Sequence, residues 1–234
     1  MQPRRRVRSF VLREGRVTPA QERALAELWP SFGVNFDAAP IDLDKLFGRR
    51  LAPRCLEIGF GTGEVIASLA KADPGTDYLG IEVHRSGVGR LLMRAQQEGL
   101  SNVRIICHDA VEVLESSIAD EAFDLVLIFF PDPWHKKRHH KRRLIDATFI
   151  EVLADKLRPG GTLRLATDWM DYAEQMRAAC SGCARLVSLG GEDGWSERPA
   201  FRPATRFERR GERLGHGVRD LAYVRTGNRP ESRR

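Results

Sequence analysis

LEIGFGTGE, residues 56–64, is the stretch of this sequence that decides the fold. Its first residues end a short apolar run, and glycines follow at Gly59, Gly61 and Gly63. Because glycine lacks a side chain, the backbone of such a turn can adopt positive φ angles and approach a ligand closely. A strand that runs through a glycine-rich turn into a helix predicts the first βα unit of an α/β domain.

Apolar strand-like runs and helical stretches alternate from residue 54 onward. Residues 191–217 contain no convincing helix before the last run, which favours an antiparallel final strand. The pattern predicts an α/β fold with a doubly wound, Rossmann-like, seven-stranded sheet that is mostly parallel. The predicted strands are Cys55–Ile58, Tyr78–Val83, Val103–Cys107, Phe123–Phe130, Thr162–Thr167, Leu186–Leu189 and Asp220–Arg225. The predicted helices are Glu64–Ala72, Gly87–Glu98, Ala110–Ser116, Arg142–Leu157 and Met170–Ala179.

The chain divides near residue 50 into an extension and one domain. Residues 1–50 predict a basic arm and a helical extension laid over the domain of residues 51–234. Thr18 and Gln21 predict a helix start with a capping box. We interpret residues 31–40 as a loop.

Positive charge is concentrated in three blocks of the chain. The 234 residues include 38 Lys and Arg against 32 Asp and Glu, a formal net charge of +6. The cations cluster in residues 1–16, 136–143 and 198–213. Such blocks are typical of proteins that bind nucleic acid, the alternative being a solvated surface.

Membrane spans, disulfides and metal sites are not expected. No apolar run approaches the roughly 20 residues of a membrane helix. Cys55 and Cys107 fall in predicted strands, while Cys180 and Cys183 form a solitary CSGC. That pair lacks the second Cys or His pair of a zinc site, and a redox role is the lesser alternative. This cysteine usage favours a reducing, cytoplasmic setting.

Three acids lie at successive predicted strand ends: Glu57, Glu82 and Asp109. Glu82 follows the glycine turn at roughly the 20-residue offset at which an acid reaches a ribose diol. Asp109 can accept a hydrogen bond from an adenine amino group, or it can simply cap the next helix. A row of acids suits the cationic nucleoside S-adenosylmethionine better than NAD, whose pyrophosphate they would repel.

FFPDPWHKKRHHKRR, residues 129–143, joins a carboxylate to a dense basic tract. Pro131 and Pro133 disfavour helical backbone at Phe130 and Asp132, so we expect the strand to leave the sheet extended. Asp132 would then lie at a strand end beside the first strand, where ligands bind in doubly wound sheets. The alternative is a turn residue between prolines.

Together these segments resemble the bacterial-type tRNA (guanine-N7)-methyltransferase family. The matching stretches are EIGFGTGE, GIEVHRSGV, FPDPWHKKRHHKRR, ATDW and TRFERRGERLGHGVRDLAY, spread over most of the chain. The resemblance implies a class I methyltransferase fold, S-adenosylmethionine as methyl donor and no metal. It also implies transfer to N7 of a guanosine in the tRNA variable loop, at tRNA position 46, by a cytoplasmic enzyme without an obligate protein partner, either a monomer or a homodimer.

The resemblance assigns roles to individual residues. It implies contacts to the cofactor from Glu57, Glu82, Asp109 and Asp132. The turn residues Gly59, Gly61 and Gly63 add to this cofactor site from their own pattern, and the strand-end position makes Asp132 also the candidate catalytic residue. Contacts to the substrate fall to Lys136, Asp168, Thr205, Arg206, Phe207 and Glu208. Contacts to RNA fall to Arg138, His139, His140, Lys141, Arg142 and Arg143.

Guanine N7 carries a free lone pair at neutral pH, so attack on a sulfonium methyl needs no general base. Asp132 could stabilise the cationic product or only position the cofactor. Asp168 could accept guanine's Watson-Crick donors or cap the following helix, and Trp134 could stack on a base or pack. Two other functions stay open from the sequence: a nucleotide-binding oxidoreductase and an RNA-binding module without activity.

Overall fold

The computed structural model describes residues 8–10, 16–202 and 217–227. An eight-stranded sheet forms the centre of this part of the chain, in the order β1-β4-β3-β2-β5-β6-β8-β7. The strands are β1 (Gly33–Val34), β2 (Arg54–Ile58), β3 (Asp77–Ile81), β4 (Val103–Ile106), β5 (Phe123–Phe129), β6 (Leu157–Thr167), β7 (Leu186–Ser188) and β8 (Arg219–Arg225).

The directions of the strands confirm the predicted doubly wound arrangement. Strands β1 to β6 pair in parallel, whereas β8 pairs antiparallel with both β6 and β7. The strand count of seven is wrong, because β1 adds to the edge of β4 within residues expected to form a loop. Two residues, one of them glycine, cannot produce an alternating pattern that predicts a strand. Part of the extension therefore belongs to the sheet.

Eight α-helices occur among the described residues, and most predicted helices lie close to their expected bounds. The fourth is the exception: α7 begins at Ala147, not at Arg142, because the Asp146 carboxylate accepts from the Phe149 backbone N–H and caps the helix there. The helices are α1 (Pro19–Glu27), α2 (Trp29–Phe32), α3 (Leu43–Phe47), α4 (Glu64–Ala72), α5 (Arg85–Glu98), α6 (Ala110–Ser116), α7 (Ala147–Lys156) and α8 (Met170–Ser181).

Helix α1 attaches the extension to the domain beside α5. Thr18 caps it, and the predicted capping box with Gln21 is present. The Gln21 side chain also donates to the Ser86 carbonyl at 3.1 Å. At Gly89 of α5 an added Cβ would lie 2.8 Å from Gln21 Cβ, so the missing side chain permits this close helix contact.

The parallel strands β2 and β3 are buried on both faces, as expected for a sheet covered by helices. Apolar residues of α4, α5, α6, α7 and α8 cover them in two hydrophobic clusters. Within the described ranges, no helix is long and apolar enough to cross a bilayer.

Candidate active site

A cavity of about 270 Å³ opens at the carboxyl ends of β2, β3, β4 and β5. The strand order reverses at β2, which lies between β3 and β5, and this is where doubly wound sheets bind ligands. Five of the predicted site residues line the cavity: Gly59, Gly61, Glu82, Asp109 and Asp132.

The glycine turn is held by the Glu82 carboxylate. Glu82 Oε2 accepts from the Gly61 N–H at 2.9 Å, and Oε1 accepts from the Val83 and His84 N–H groups at 2.7 and 3.0 Å. Gly59 and Gly61 have φ angles of 70° and 56°, and an added Cβ at either would meet no atom of the described residues within 4 Å apart from its chain neighbours. The turn therefore leaves open space beside its backbone.

The structural role of Gly63 differs from that of Gly59 and Gly61. It caps α4 with a φ of 73°, and an added Cβ would lie 2.7 Å from Leu91 Cδ1. It is not among the residues that line the cavity. The structure supports packing of the turn against α5 as the reason for glycine here.

Glu57 lies beneath the turn rather than in the cavity wall. It is 4% exposed, and its Oε2 has no hydrogen-bond partner among the described residues. Burial raises the pKa of Glu57 to about 8; the Glu82 charge also raises it, and a hydrogen bond from the Ile66 backbone lowers it. A buried oxygen without a donor suits a cationic ligand group.

Asp109 serves as a helix cap and lines the cavity. Its carboxylate accepts from the Val111 N–H at 3.0 Å at the start of α6. The same residue lines the cavity next to His108 and Ala110. The two interpretations of Asp109 are thus compatible.

Phe130, at the start of the turn that carries Asp132, is left-handed, not extended as expected. Phe130 has a φ of 53° and Trp134 one of 47°. Proline disfavours only the right-handed helical region for the residue before it, and Phe130 takes the left-handed alternative. Its N–H donates to the Ala166 carbonyl at 2.8 Å, which holds this strained conformation.

Asp132 lies in the cavity wall beyond this turn, opposite His84. The residue is exposed, yet partial burial of its carboxyl raises the pKa of Asp132, while the charge of His84 lowers it. Sequence reasoning missed His84 as a site residue, although its place in GIEVHRSGV, two residues after Glu82, is a usable signal.

Residues 8–10 of the amino-terminal arm reach the same cavity. Ser9 and Phe10 line it, and the Trp134 indole N–H donates to the Ser9 carbonyl at 2.9 Å. The Arg142 guanidinium lies over the Trp134 ring, 5.0 Å from its centroid. These contacts favour the packing interpretation of Trp134. Sequence reasoning missed Ser9 and Phe10, because Ser9 lies 125 residues before the tryptophan that it meets.

The basic tract after Asp132 forms a 3₁₀ turn over Lys137–Arg142, preceded by Lys136. Lys136, Arg138 and Lys141 are exposed, and Arg142, His139 and His140 are partly buried. Exposed cations beside the cavity suit a polyanion.

Arg143 is buried, unlike the other residues of the tract. It is 4% exposed, and its guanidinium donates to the Pro133 carbonyl, to Gln175 Oε1 and to Asp171 Oδ2 at 2.9, 2.8 and 2.5 Å. Its bonds fix the tract to α8, and its expected contact with RNA stays a prediction.

Asp168 follows β6 and does not cap α8. The capping position is Trp169, which makes no side-chain capping hydrogen bond to the helix. The Trp169 ring meets the His135 ring edge-on, with centroids 4.2 Å apart. This contact brings together the chain segments that carry Asp168 and Lys136. The other predicted substrate residues, Thr205, Arg206, Phe207 and Glu208, lie outside the described residues.

No group of His, Cys, Asp or Glu among the described residues has the arrangement to hold a metal ion. The cysteines form no disulfide in this part of the chain, and Cys180 and Cys183 are buried. Cys180 is the eleventh residue of the twelve-residue α8, and burial raises the pKa of its thiol. A raised thiol pKa opposes the redox alternative.

Solved methyltransferase structures share this architecture. The aminoglycoside resistance methyltransferase NpmB1 matches with a TM-score of 0.54 and 18% identity, over 79% of this chain and 92% of that one. A SAM-dependent O-methyltransferase from Thermotoga maritima matches with a TM-score of 0.51 and 15% identity, over 81% of this chain and 65% of that one. At such identities the likeness shows the fold alone. The fold is therefore that of the class I methyltransferases.

Sequence comparison gives the family. A family model described as "Putative methyltransferase" matches residues 51–221. The tRNA (guanine-N(7)-)-methyltransferase of Xanthomonas campestris pv. campestris (strain 8004) is 58% identical over 222 residues, 95% of this chain and 85% of that protein. The protein of the same name from Alcanivorax borkumensis is 53% identical over 219 residues, 94% of this chain and 91% of that protein.

This chain belongs to the tRNA (guanine-N(7)-)-methyltransferase family and is an enzyme of that type. The resemblance inferred from the motifs is confirmed. Membership in this family excludes the oxidoreductase and the inactive RNA-binding module.

Proposed function

We propose that this enzyme transfers a methyl group from S-adenosylmethionine to N7 of a guanosine in the tRNA variable loop, at tRNA position 46. The observation that carries the proposal is the position of the acid-lined cavity directly beside the exposed basic tract. The names of the relatives support the choice of tRNA and of guanine N7. We propose that this activity takes place in the cytoplasm and that the enzyme needs no partner protein.

The cavity fits a sulfonium nucleoside. Gly59 and Gly61 leave space beside their backbone, and Glu82 lines the same wall with a carboxylate that can accept from ribose hydroxyls. Glu57 lies beneath the turn, outside the cavity wall, and its Oε2 has no donor among the described residues, so we infer that the ammonium group of the ligand reaches it. When bound, S-adenosylmethionine supplies an electrophilic methyl group.

Catalysis in this proposal depends on placement rather than on proton transfer. Guanine N7 has no proton at neutral pH, so no side chain has to remove one. Alignment of two reactants can lower a barrier by about 7–11 kcal/mol in favourable cases. The residues around the cavity therefore act by holding both reactants in line.

Asp132 is the candidate for electrostatic stabilisation. Methylated guanine is cationic, so a fixed carboxylate gains interaction energy as the methyl group is transferred. The strained Phe130 backbone and two flanking prolines restrict where Asp132 can move. The raised pKa of Asp132 is consistent with a partly desolvated carboxylate, whose interaction with a cation is stronger than in water.

Base recognition is assigned to carboxylates on two segments. Asp168 and Glu208 can each accept both donors of guanine's Watson-Crick edge, which adenine does not offer. Lys136 and Arg206 are assigned to phosphates or to the guanine carbonyl oxygen. Asp168 does not cap α8, which leaves its carboxylate available for such a role.

The test uses unmodified tRNA and its variant with adenosine at position 46. With a labelled methyl donor, the first tRNA should accept about one methyl group per molecule and the second almost none. Equal labelling would contradict the assigned position.

The rate of a single turnover should stay nearly constant between about pH 6 and pH 9, and a steep rise with one titrating group would contradict attack without a base.

A further inference from the structure

The buried side chain of Arg202 connects β8 to the wall of the cavity. Its guanidinium is 0% exposed, and Nη2 donates to both carboxylate oxygens of Asp220 at 3.0 and 2.8 Å. The same group lies over the rings of Phe129 and Phe130, 5.3 and 5.4 Å from their centroids. Both phenylalanines line the cavity.

The register of β5, β6 and β8 explains how the Arg202 side chain contacts both Asp220 and Phe129. Phe129 in β5 pairs with Ala166 in β6, and Ala166 pairs with Asp220 in β8. Residues directly opposite one another in paired strands share a face of the sheet. Because the middle residue of this row is an alanine, the guanidinium has room to lie between the carboxylate and the ring.

The rings of Phe129 and Phe130 both lie near this one guanidinium, so they share a side of the sheet. Successive residues of an extended strand point to opposite faces of the sheet. Phe130 departs from that pattern, with a φ of 53°. Contact between a cation and an aromatic face stabilises this otherwise strained conformation. Asp132 follows two residues later.

We propose that Arg202, held by Asp220, is a positioning residue for methyl transfer. It keeps Phe130 left-handed and thereby fixes Asp132 at the cavity. This inference rests on the proposed role of Asp132 in methyl transfer.

The substitution Arg202→Lys separates the effect of the positive charge from the effect of the guanidinium's shape. It keeps the positive charge toward Asp220 but lacks the planar, two-pronged guanidinium that lies against both rings. We expect Arg202→Lys to fold and to bind S-adenosylmethionine with a KM within about threefold of wild type. Its kcat on tRNA should fall roughly 10- to 100-fold, since a displacement of about 1 Å can have that effect. Asp220→Asn should also lower kcat, and it serves as the test variant if Arg202→Lys does not fold.

The matched control is Arg185, another buried arginine paired with carboxylates. Its guanidinium donates to Glu151 and Asp155 at 2.7 and 2.5 Å, and it is not among the residues that line the cavity. Arg185→Lys should lower Tm about as much as Arg202→Lys while keeping kcat. Wild-type kcat in Arg202→Lys, or an equal loss in Arg185→Lys, would overturn the inference. Activity of the wild type and of Arg185→Lys on tRNA would leave the proposed function intact, whereas an inactive wild type would overturn that function itself.

Discussion

At the scale of single residues, the two carboxylates that carry the most chemistry differ in their surroundings. Glu57 is enclosed and has an oxygen without a donor among the described residues, whereas Asp132 is exposed in the cavity wall. Burial raises the pKa of both, and it raises that of Glu57 to about 8. A cationic ligand would favour the ionised form of each.

Glu57 makes folding dependent on pH in a defined window. The carboxyl group loses its proton near pH 4.5 in the unfolded chain and near pH 8 in the folded one. Between these values the folded state binds more protons, so the contribution to stability declines as pH rises. In Glu57→Gln this decline should vanish. The Tm of this variant relative to that of the wild type should therefore increase as pH rises from about 5 to 8. Parallel Tm curves would contradict the assignment.

Asp132→Asn removes the charge and keeps the size of the side chain. We expect kcat to fall roughly 100- to 1,000-fold, the range for the loss of one preorganised stabilising group. The Kd for tRNA should stay within about twofold, because the phosphates meet other residues. Asp37→Asn is the control, since that carboxylate accepts from the exposed Ala39 N–H, away from the cavity. Wild-type turnover in Asp132→Asn would refute the catalytic role.

At the scale of elements, α5 supports the glycine turn from behind. An added Cβ at Gly87 would lie 2.2 Å from the Gly61 carbonyl oxygen, so Gly87→Ala must displace either the helix or the turn. We expect the affinity for S-adenosylmethionine to fall about tenfold or more, equivalent to about 1.4 kcal/mol. Isothermal calorimetry measures this change directly.

Gly99→Ala provides the comparison for that prediction. Gly99 ends α5 with a φ of 63°, and an added Cβ there would meet nothing within 4 Å. This variant should lose about 1–2 kcal/mol of stability from backbone strain without losing affinity. Equal losses of affinity in both variants would mean that α5 acts on the cofactor only through overall stability.

The basic 3₁₀ turn should determine how tRNA binding depends on salt. Replacing Arg138, Lys141 and Arg142 with glutamine should weaken binding and reduce the salt slope by about 0.7–0.9 for each phosphate that these side chains no longer neutralise. Arg143 stays unchanged because it is buried. A control triple variant at Arg50, Lys71 and Arg94 removes the same charge elsewhere. If both variants give the same slope, the tract is only a solvated surface.

The order of elements could be predicted because it depends on local patterns. Alternation and caps identified β2 to β8 and the bounds of α4 and α6, and the glycine turn located the cavity. The left-handed Phe130, the inward-facing Arg143 and the short β1 could not be predicted in this way. Each depends on partners distant in sequence, respectively Arg202, Gln175 and Ile105, which no local pattern specifies.

At the scale of the whole molecule, the amino-terminal extension completes both the sheet and the site. Strand β1 covers the edge of β4, and Ser9, which lines the cavity, accepts a hydrogen bond from the Trp134 indole. Removing residues 1–16 should leave Tm nearly unchanged and raise the KM for tRNA. Removing residues 1–34 should cause aggregation, because it uncovers the β4 edge. Trp134→Phe, which lacks the indole N–H, should reproduce part of the effect of the shorter deletion. If the shorter deletion has no effect on KM, the arm has no part in the site.

The most direct measurement is nucleoside analysis of unmodified tRNA after incubation with the enzyme and labelled methyl donor. Digestion and mass spectrometry identify the base, the atom and, with mapped fragments, the position that receives the label. We expect 7-methylguanosine at position 46 with wild-type enzyme and almost none with Asp132→Asn. Label on another base, on another guanine atom or at another position would contradict it.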